Sequence, residues 1–197
     1  MRLTIASNKA IKYALMNFHY AKRKPNISVA YNVYNKKNDW CGVIAYGLGA
    51  APSIGKPYNL AQGEIIELVR VALNGKQDNV SKIIGISLKL LKKDCPTVKL
   101  VVSYADKGQN HKGIIYQASN WYYVDESNST GREYFYKGRW THSKTIQDYC
   151  KRRKINKNIY QSRKTSGKYK YIYPLVKDMR EMCEKIKKSY PKNASKA

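Results

Sequence analysis

The sequence predicts an α/β fold, a single mixed-sheet domain with helices layered on the sheet. From residue 28 onward, segments with strand and helix patterns alternate in the order strand, strand, strand, helix, strand, helix, strand. VSKIIGISLKLLKKDC carries a helical apolar stripe, and VKLVVSYAD is the continuous apolar run of a buried strand. Alternation of this kind requires crossover helices, and therefore a layered α/β arrangement.

The first part of the chain predicts one helix, a hairpin and a third strand. Residues 8–19, NKAIKYALMNFH, have apolar side chains at helical spacing, and the helix presents His19 and Tyr20 at its end. SVAYNVYN and WCGVIAYGLG are rich in β-forming residues, and the polar KKND between them is typical of a hairpin. EIIELVRVAL then alternates as a strand, and GKQDN follows as a turn.

The remaining elements follow from local pattern as well. The long helix is predicted to end before Pro96, and the buried strand VKLVVSYAD follows it. HKGIIYQASN predicts a short helix and WYYVDES another strand. After DESNSTG the periodicity is lost, apart from a short basic helix at 144–157. KYKYIYPL closes the sheet as a strand before a final helix, VKDMREMCEKIKKSY. With no repeat or linker, residues 1–197 are predicted to form one domain.

Charge indicates the class of partner. Thirty-eight Lys and Arg against thirteen Asp and Glu give a net charge of +25, a field that attracts polyanions. Residues 132–197 hold 20 basic and 5 acidic residues, and aromatic side chains are interleaved among the cations of 132–173. Cations bind phosphates and aromatic faces stack on bases, so 132–173 is predicted to bind nucleic acid. The alternative, a solvated lysine-rich surface, accounts less well for the aromatic residues.

The sequence argues against a membrane or secreted protein. No apolar run approaches the roughly 18 residues of a membrane span, and the N-terminus lacks the apolar stretch of a signal peptide. The four cysteines have no CxxC spacing, which argues against a zinc site and a disulfide framework. We therefore expect a soluble intracellular protein with reduced cysteines.

Polar residues near strand ends are the candidates for chemistry, because no Walker loop, GxGxxG, HExxH or GxSxG motif is present. Arg70 lies within the apolar strand ELVRVAL and needs an anion beside it, since burying an unpaired charge is costly. A salt bridge with Glu64 or Glu67 would meet the same need. Asp106 ends the buried strand and could accept a proton, or it could cap the next helix.

Four segments taken together resemble the Mom family of bacteriophage DNA-modification proteins. They are NFHYAKRKP, ELVRVAL, KLVVSYADKGQNHKGIIYQASNWYYV and KYKYIYPL, and the resemblance runs from about residue 16 to residue 175. It implies the fold of the GCN5-related N-acetyltransferases, which agrees with the alternation of elements. It also implies an activity, because Mom proteins convert adenine in phage DNA to N6-(carbamoylmethyl)adenine and thereby protect the DNA from host restriction.

The resemblance implies four catalytic residues. His19 and Tyr20 fall on the family's HY pair, and Asp106 falls on the acidic residue after the buried strand. Tyr116 falls on the tyrosine of the GxxYxA segment. Asp106 or His19 would take a proton from adenine N6, while Tyr20 or Ser81 would donate to the carbonyl oxygen of the donor.

Arg70 and Ser81 are the implied donor-binding residues. In acetyltransferases of this fold, the pyrophosphate of the cofactor rests on a glycine-rich turn that opens the same helix as Ser81. Here QDNVSKIIG keeps Gln77 but has Val80 and Lys82 in place of small residues, which weakens the case for ordinary acyl-CoA binding. The donor stays open between acyl-CoA and activated glycine, with glycyl-tRNA as one carrier. His, Tyr and Asp together could also bind iron, although no spacing demands a metal.

The implied substrate is double-stranded DNA with the target adenine flipped out, because N6 lies inside the duplex. Tyr116, Tyr104 and Trp121 are candidates to stack on the flipped base. A tRNA would be a second nucleic-acid partner, and the implied location is the cytoplasm of the host bacterium. Two other functions stay open: a non-catalytic DNA-binding protein on this scaffold, and an acetyl-CoA-dependent N-acetyltransferase.

Overall fold

A seven-stranded sheet forms the centre of the molecule in the computed structural model, which describes residues 1–49, 52–127 and 131–191. Numbered in chain order, its strands are β1 (Arg2–Ile5), β2 (Val29–Tyr34), β3 (Trp40–Gly47), β4 (Ile65–Leu73), β5 (Leu100–Asp106), β6 (Tyr122–Ser127) and β10 (Lys168–Pro174). The spatial order is β1-β2-β3-β4-β5-β10-β6. Only β4 and β5 are parallel neighbours, so the sheet is mixed as predicted.

Helices cover both faces of this sheet. On one face, α1 (Asn8–Asn17) packs its buried side chains on β2, β3 and β4, and α5 (Lys177–Ile186) packs beside it on β10 and β6. On the other face, α2 (Val80–Asp94) and α3 (Ile114–Gln117) pack on the main apolar core. The helical stripe of α2 predicted this burial, since Ile83, Ile84, Leu88 and Leu91 are all buried.

The parallel strands β4 and β5 separate halfway along their length. They pair from Ile65 and Leu100 as far as Glu67 and Val102, and the ladder ends there. Beyond that point β4 stays paired with β3 and β5 stays paired with β10. A fork therefore opens between the carboxyl halves of β4 and β5, the edge where α/β folds place their ligands.

A β-bulge in β4 sets the direction of Arg70. In the β3–β4 ladder Tyr46 pairs with Leu68 and Ala45 pairs with Arg70, so Val69 is an extra residue in β4. In a regular strand without a bulge, strict alternation would place Arg70 on the same face as Leu68, against α2. Because of the bulge, Arg70 shares the face of its partner Ala45, which packs against α1.

An excursion between β6 and β10 forms a second, smaller sheet. Its strands are β7 (Arg132–Tyr136), β8 (Arg139–His142) and β9 (Ser162–Lys164), in the order β8-β7-β9, and α4 (Ser143–Arg153) packs against one side. Tyr134, Ile146 and Cys150 form its buried centre. The predicted nucleic-acid-binding segment 132–173 is therefore divided, because 168–173 belongs to β10 in the main sheet. We call residues 131–164 the basic insertion.

Most predicted elements are confirmed and several boundaries are wrong. The helix predicted for 8–19 ends at Asn17, and the one predicted for 144–157 is Ser143–Arg153. HKGIIYQASN is helical only at Ile114–Gln117. Strands β1, β7, β8 and β9 were not predicted. In the part of the chain that the structure describes, no helix is long and apolar enough to cross a membrane.

Candidate active site

Asp106 ends β5 at the open end of the fork. Its Oδ1 accepts hydrogen bonds from the backbone N–H of Gly108, at 2.8 Å, and from the hydroxyl of Ser166, at 3.1 Å. The first of these caps the short 3-10 turn Lys107–Gln109, so the capping role considered for Asp106 is observed. The other oxygen, Oδ2, lies 3.5 Å from the hydroxyl of Tyr20 and faces the fork.

His19 and Tyr20 follow α1 and lie above the fork. Their rings are stacked with centroids 4.4 Å apart. Burial lowers the pKa of His19 to about 4, with further contributions from the positive charges of Arg70 and His111. The imidazole of His19 is therefore neutral at pH 7. Its Nδ1 accepts a hydrogen bond from the backbone N–H of Ala21 at 3.1 Å, so the proton of the neutral ring lies on Nε2. Burial, followed by the negative charge of Asp106, raises the pKa of Tyr20 above its usual value, so Tyr20 keeps its proton.

Arg70 approaches the same group from β4. One of its terminal nitrogens donates to the carbonyl of Val69 at 2.6 Å. Its Nε is buried and, among the described residues, has no hydrogen-bond partner. Glu64, one of the two acids considered for a salt bridge, is instead paired with Lys99 at 2.5 Å. An inward-facing guanidinium nitrogen without a partner is the donor that an incoming anion or carbonyl oxygen would use.

His111 joins this group from the loop after β5. Its ring centroid lies 6.2 Å from that of Tyr20 in an edge-on contact, and its backbone N–H donates to the carbonyl of Asp106 at 3.1 Å. Within residues 1–49, 52–127 and 131–191, no three His, Cys, Asp or Glu side chains are grouped in a way that could hold a metal ion.

Tyr116 lies below the fork, inside the core. Its hydroxyl lies 2.8 Å from Ser103 Oγ, and Ser103 Oγ is also 2.9 Å from the carbonyl of Leu68, where β4 and β5 part. Its ring packs against Trp121, which is fully buried. Stacking on a flipped base is therefore the wrong role for these two rings. Tyr104, which is half-buried at the edge of the core beneath α5 and has Lys168 Nζ 6.0 Å from its ring centroid, is the remaining candidate.

Ser81 lies on the opposite face of the sheet from Asp106. Asn79 Oδ1 caps α2 by accepting from the N–H of Ser81 at 3.0 Å, the N–H of Lys82 at 3.3 Å and the Ser81 hydroxyl at 2.6 Å. The structure thus brings His19, Tyr20, Arg70 and Asp106 together and separates Ser81 from them. A ligand that contacts both Ser81 and Arg70 must pass through the fork.

Two residues that position the candidate site received no role from the sequence alone. Ser103 joins Tyr116 to β4 at the point where the strands part, and Ser166 holds Asp106 from the loop before β10. Ser103 follows a buried apolar run, and a polar residue at the end of such a run was the available signal. Ser166 is 60 residues from Asp106, and no local pattern connects them.

The forked mixed sheet defines the class as the N-acetyltransferase fold. A spermidine N-acetyltransferase SpeG chimera from Vibrio cholerae and hSSAT superposes with a TM-score of 0.54 at 6% identity, covering 88% of this chain and 96% of that one. An acetyltransferase of Bacillus subtilis, solved in complex with CoA, superposes with a TM-score of 0.51 at 9% identity, covering 89% and 99%. Identities this low establish the fold alone.

The chain belongs to the Mom protein family, whose family model matches residues 1–192. It is 30% identical over 134 residues to a curated relative, the methylcarbamoylase mom of Escherichia phage Mu. This match covers 65% of the chain and 54% of the relative, so the chain spans about half the length of that protein. Both the predicted fold and the resemblance stated from the sequence are thereby confirmed.

Proposed function

We propose that this chain is an acyltransferase-like enzyme that converts adenine in DNA to N6-(carbamoylmethyl)adenine. The observation that carries the proposal is the contact between Tyr20 and Asp106 at the mouth of the fork, beside a neutral His19. Membership of the Mom family supports the reaction class, because the curated relative is named a methylcarbamoylase. In a phage-infected bacterium, the modification would take place in the host cytoplasm and protect the DNA from restriction.

Asp106 and His19 are the groups that would move the proton. The exocyclic amine N6 is a weak nucleophile, and attack on a carbonyl requires that it lose a proton. Asp106 Oδ2 has only the long contact from the Tyr20 hydroxyl, at 3.5 Å, because the hydrogen bonds from Gly108 and Ser166 both go to Oδ1. His19 is the less suited of the two, because its Nδ1 already accepts from the N–H of Ala21 and its proton then lies on Nε2.

Arg70 and Tyr20 would bind the acyl donor. The unpartnered Nε of Arg70 can donate to a carbonyl or phosphate oxygen, and such a bond strengthens as negative charge develops in the transition state. Tyr20 keeps its proton and can donate to the same oxygen. Ser81 would hold the distal part of the donor at the start of α2, across the fork. Tyr116 would act from below, by holding Ser103 where its hydroxyl links β5 to β4 at the start of the fork.

The product constrains the donor. A carbamoylmethyl group has the atoms of a glycyl group in reversed order. Glycyl transfer to N6 forms an amide, whose free amine can attack ring carbon C6 and form a five-membered spiro intermediate. The bond from C6 to the original nitrogen then breaks. The original nitrogen leaves the ring as the terminal amide, while the glycine nitrogen becomes the bridge. No oxidant or reductant is needed.

The donor is therefore activated glycine, carried by tRNA or another group, with acyl-CoA as the rival. Supplying glycine labelled on nitrogen should place the label on the bridging nitrogen of the product. If the modified base contains no label, glycine is not the donor, and the acyl-CoA alternative is favoured. The positive field of the chain suits a second polyanion, such as a tRNA, as well as DNA.

DNA would reach this site with the adenine extruded from the duplex, since N6 cannot otherwise meet Asp106. Tyr104 lies on the face of β5 that carries Asp106, two residues away along the strand, and would stack on the base. The basic insertion begins beside the same edge, because Lys168 of β10 pairs with both Asp106 and Ser127. The insertion would bind the flanking DNA.

Mass spectrometry of nucleosides tests the proposal. Plasmid DNA from bacteria that express this chain should contain deoxyadenosine heavier by C2H3NO, the atoms of one glycyl group less the hydrogen that it replaces. The Asp106→Asn variant should bind DNA and leave it unmodified. Asp125→Asn is the matched control, because Asp125 is an exposed acid paired with Lys188, and this variant should modify DNA as the unaltered chain does.

Two outcomes would contradict the proposal. Modification that persists in Asp106→Asn removes Asp106 from catalysis. DNA that the unaltered chain binds and leaves unmodified, in cells supplied with glycine, favours the non-catalytic DNA-binding function.

A further inference from the structure

The hairpin formed by β7 and β8 is a rigid two-stranded ribbon. Glu133 pairs with His142 and Tyr136 pairs with Arg139, which leaves Lys137 and Gly138 as a two-residue turn. Their φ angles of 49° and 74° are those of a type I′ turn, whose twist matches that of the strands. The tip of the ribbon therefore has a defined conformation, and Lys137 and Arg139 give it positive charge.

The two faces of this ribbon differ. The inner face packs Tyr134 against α4. The outer face carries Phe135 and Trp140 in an edge-on contact with centroids 5.4 Å apart. The guanidinium of Arg163 lies 4.3 Å from the centroid of Trp140, and it is held there by two hydrogen bonds to Glu133 at 3.1 and 2.9 Å. Trp140 is thus covered on one face.

Phe135 is the exposed aromatic ring of this ribbon. Its side chain is 42% exposed. It lies on β7, one residue before the turn, and its ring packs against that of Trp140, its cross-strand partner. The phenylalanine side chain is apolar and gains nothing from contact with water. Its exposure beside a positively charged turn suits a partner that offers both phosphates and the apolar faces of bases.

The root of the ribbon is joined to the candidate active site. The N–H of Thr165 donates to the carbonyl of Gly131 at 2.9 Å, and the next residue, Ser166, donates to Asp106. Phe135 lies four residues along an extended strand from Gly131, a span of about 13 Å. The ribbon therefore begins beside Asp106 and extends over a distance comparable with the width of a DNA groove, about 12 Å.

We propose that the β7–β8 hairpin enters the DNA duplex and that Phe135 fills the space vacated by the extruded adenine. This inference rests on the proposed function, because it assigns the element that delivers the base to Asp106. The major groove accommodates a two-stranded ribbon, and apolar side chains of other DNA-bending proteins insert between base steps. Lys137 and Arg139 bind the phosphates on either side, and Phe135 replaces the stacking that the adenine loses.

The test compares paired with unpaired adenine. Two duplexes of identical sequence are used, one fully paired and one with an abasic site opposite the target adenine, where extrusion costs little. Phe135→Ala should reduce the modification rate on the paired duplex by tenfold or more. This is on the order expected when no side chain replaces the base stacking that is lost on extrusion. It should modify the abasic duplex within about twofold of the unaltered chain, and this retained activity also shows that the variant is folded.

Ile159→Ala is the matched control, because Ile159 is also apolar and exposed, at 67%, in the basic insertion but outside the ribbon. It should modify both duplexes normally. Equal loss on the two duplexes by Phe135→Ala, or no loss on either, would overturn the assignment of Phe135.

The fluorescence of 2-aminopurine in place of the target adenine reports extrusion without catalysis. The unaltered chain should raise this fluorescence on the paired duplex, and Phe135→Ala should not. If the unaltered chain modifies neither duplex, the proposed function fails, and this fluorescence alone decides the role of Phe135. Equal fluorescence for the two proteins would overturn that role.

Discussion

At the scale of single residues, the candidate site depends on keeping His19 neutral while Asp106 is charged. His19 is half-buried beside two other cationic or protonatable groups, Arg70 and His111. Asp106 has two hydrogen-bond donors on one carboxylate oxygen and Tyr20 near the other. The carboxylate of Asp106 and the neutral imidazole of His19, whose Nδ1 accepts from the N–H of Ala21, thus lie in one group with different partners.

The first prediction concerns the titration of His19. Its imidazole should titrate near pH 4 by NMR, rather than near the usual 6.5, because burial and then Arg70 disfavour the charged form. Arg70→Gln should raise the pKa of His19, because it removes a positive charge. A titration of His19 near pH 6.5 in the unaltered chain would contradict the burial of this residue.

A dependence of stability on pH follows from the same shift. The unfolded chain takes up a proton on His19 near pH 6.5, while the folded protein does so only near pH 4. Between these values the unfolded state binds more protons, so His19 makes the free energy of unfolding decrease as pH falls from about 6.5 to about 4. Denaturant titrations should show a weaker decrease in this window for His19→Gln than for the unaltered chain.

Ser166 provides a second prediction at this scale. Ser166→Ala should lower kcat for DNA modification by about tenfold, because one of two donors that orient Asp106 is removed. The affinity for DNA should not change. Ser166→Thr keeps the hydroxyl and should restore kcat, whereas a purely structural role would not distinguish the two variants. Loss of DNA binding in Ser166→Ala, with kcat unchanged, would contradict the assignment.

At the scale of elements, the site is made by the fork and by the loop that leads from the basic insertion into β10. Gly167 in that loop approaches β6 so closely that a Cβ atom there would lie 2.1 Å from the carbonyl oxygen of Ser127. Only a residue without a side chain allows this approach, which brings Ser166 onto Asp106. The insertion is thereby attached to the sheet at the active-site edge.

A pair of glycine substitutions tests this attachment. Gly167→Ala should lower the free energy of unfolding and the modification rate together, since the loop must move away from Ser127. Gly85→Ala is the matched control. Gly85 lies inside α2 with open space around its Cβ position, so this change should stabilise the protein by about 0.5–1 kcal/mol. A Gly167→Ala variant with normal stability and activity would show that the close approach is unnecessary.

At the scale of the whole molecule, positive charge is concentrated next to the site. The basic insertion holds eleven Lys and Arg and two acidic residues, a net charge of +9 in 34 residues. Lys151, Arg152 and Arg153 end α4 and are all exposed. By contrast, Lys89, Lys92 and Lys93 are exposed on α2, which covers the face of the sheet opposite Asp106.

The effect of removing lysines and arginines on the salt dependence of DNA affinity should therefore differ with their position in the structure. Changing Lys151, Arg152 and Arg153 to Gln should weaken DNA binding and reduce the slope of log affinity against log salt by about one for each phosphate that the variant no longer neutralises. The same change at Lys89, Lys92 and Lys93 removes equal charge and should leave the slope nearly unaltered. Equal effects of the two triple variants would mean that charge acts only through the net field.

The sequence by itself determined the features that depend on local pattern. The apolar stripe of α2, the continuous run of β5 and the alternation of β10 each predicted an element that the structure contains. Charge predicted the class of partner, and the order of four segments indicated the family. Strands β7, β8 and β9 were not predicted because they are short and charged. Their pairing also joins residues that are far apart in the sequence, such as Arg132 and Lys164.

Only the tertiary structure decided how the site is assembled. The extra residue Val69 turns Arg70 toward α1, although the pattern of β4 alone would turn it toward α2. Burial against Trp121 places Tyr116 in the core, and the hydrogen bond from Ser166 to Asp106 joins two residues that are 60 positions apart in the chain. The physical reason is common to all of these: a bulge, a depth of burial and a long-range hydrogen bond arise from neighbours in space, which the spacing of residues along the chain does not specify.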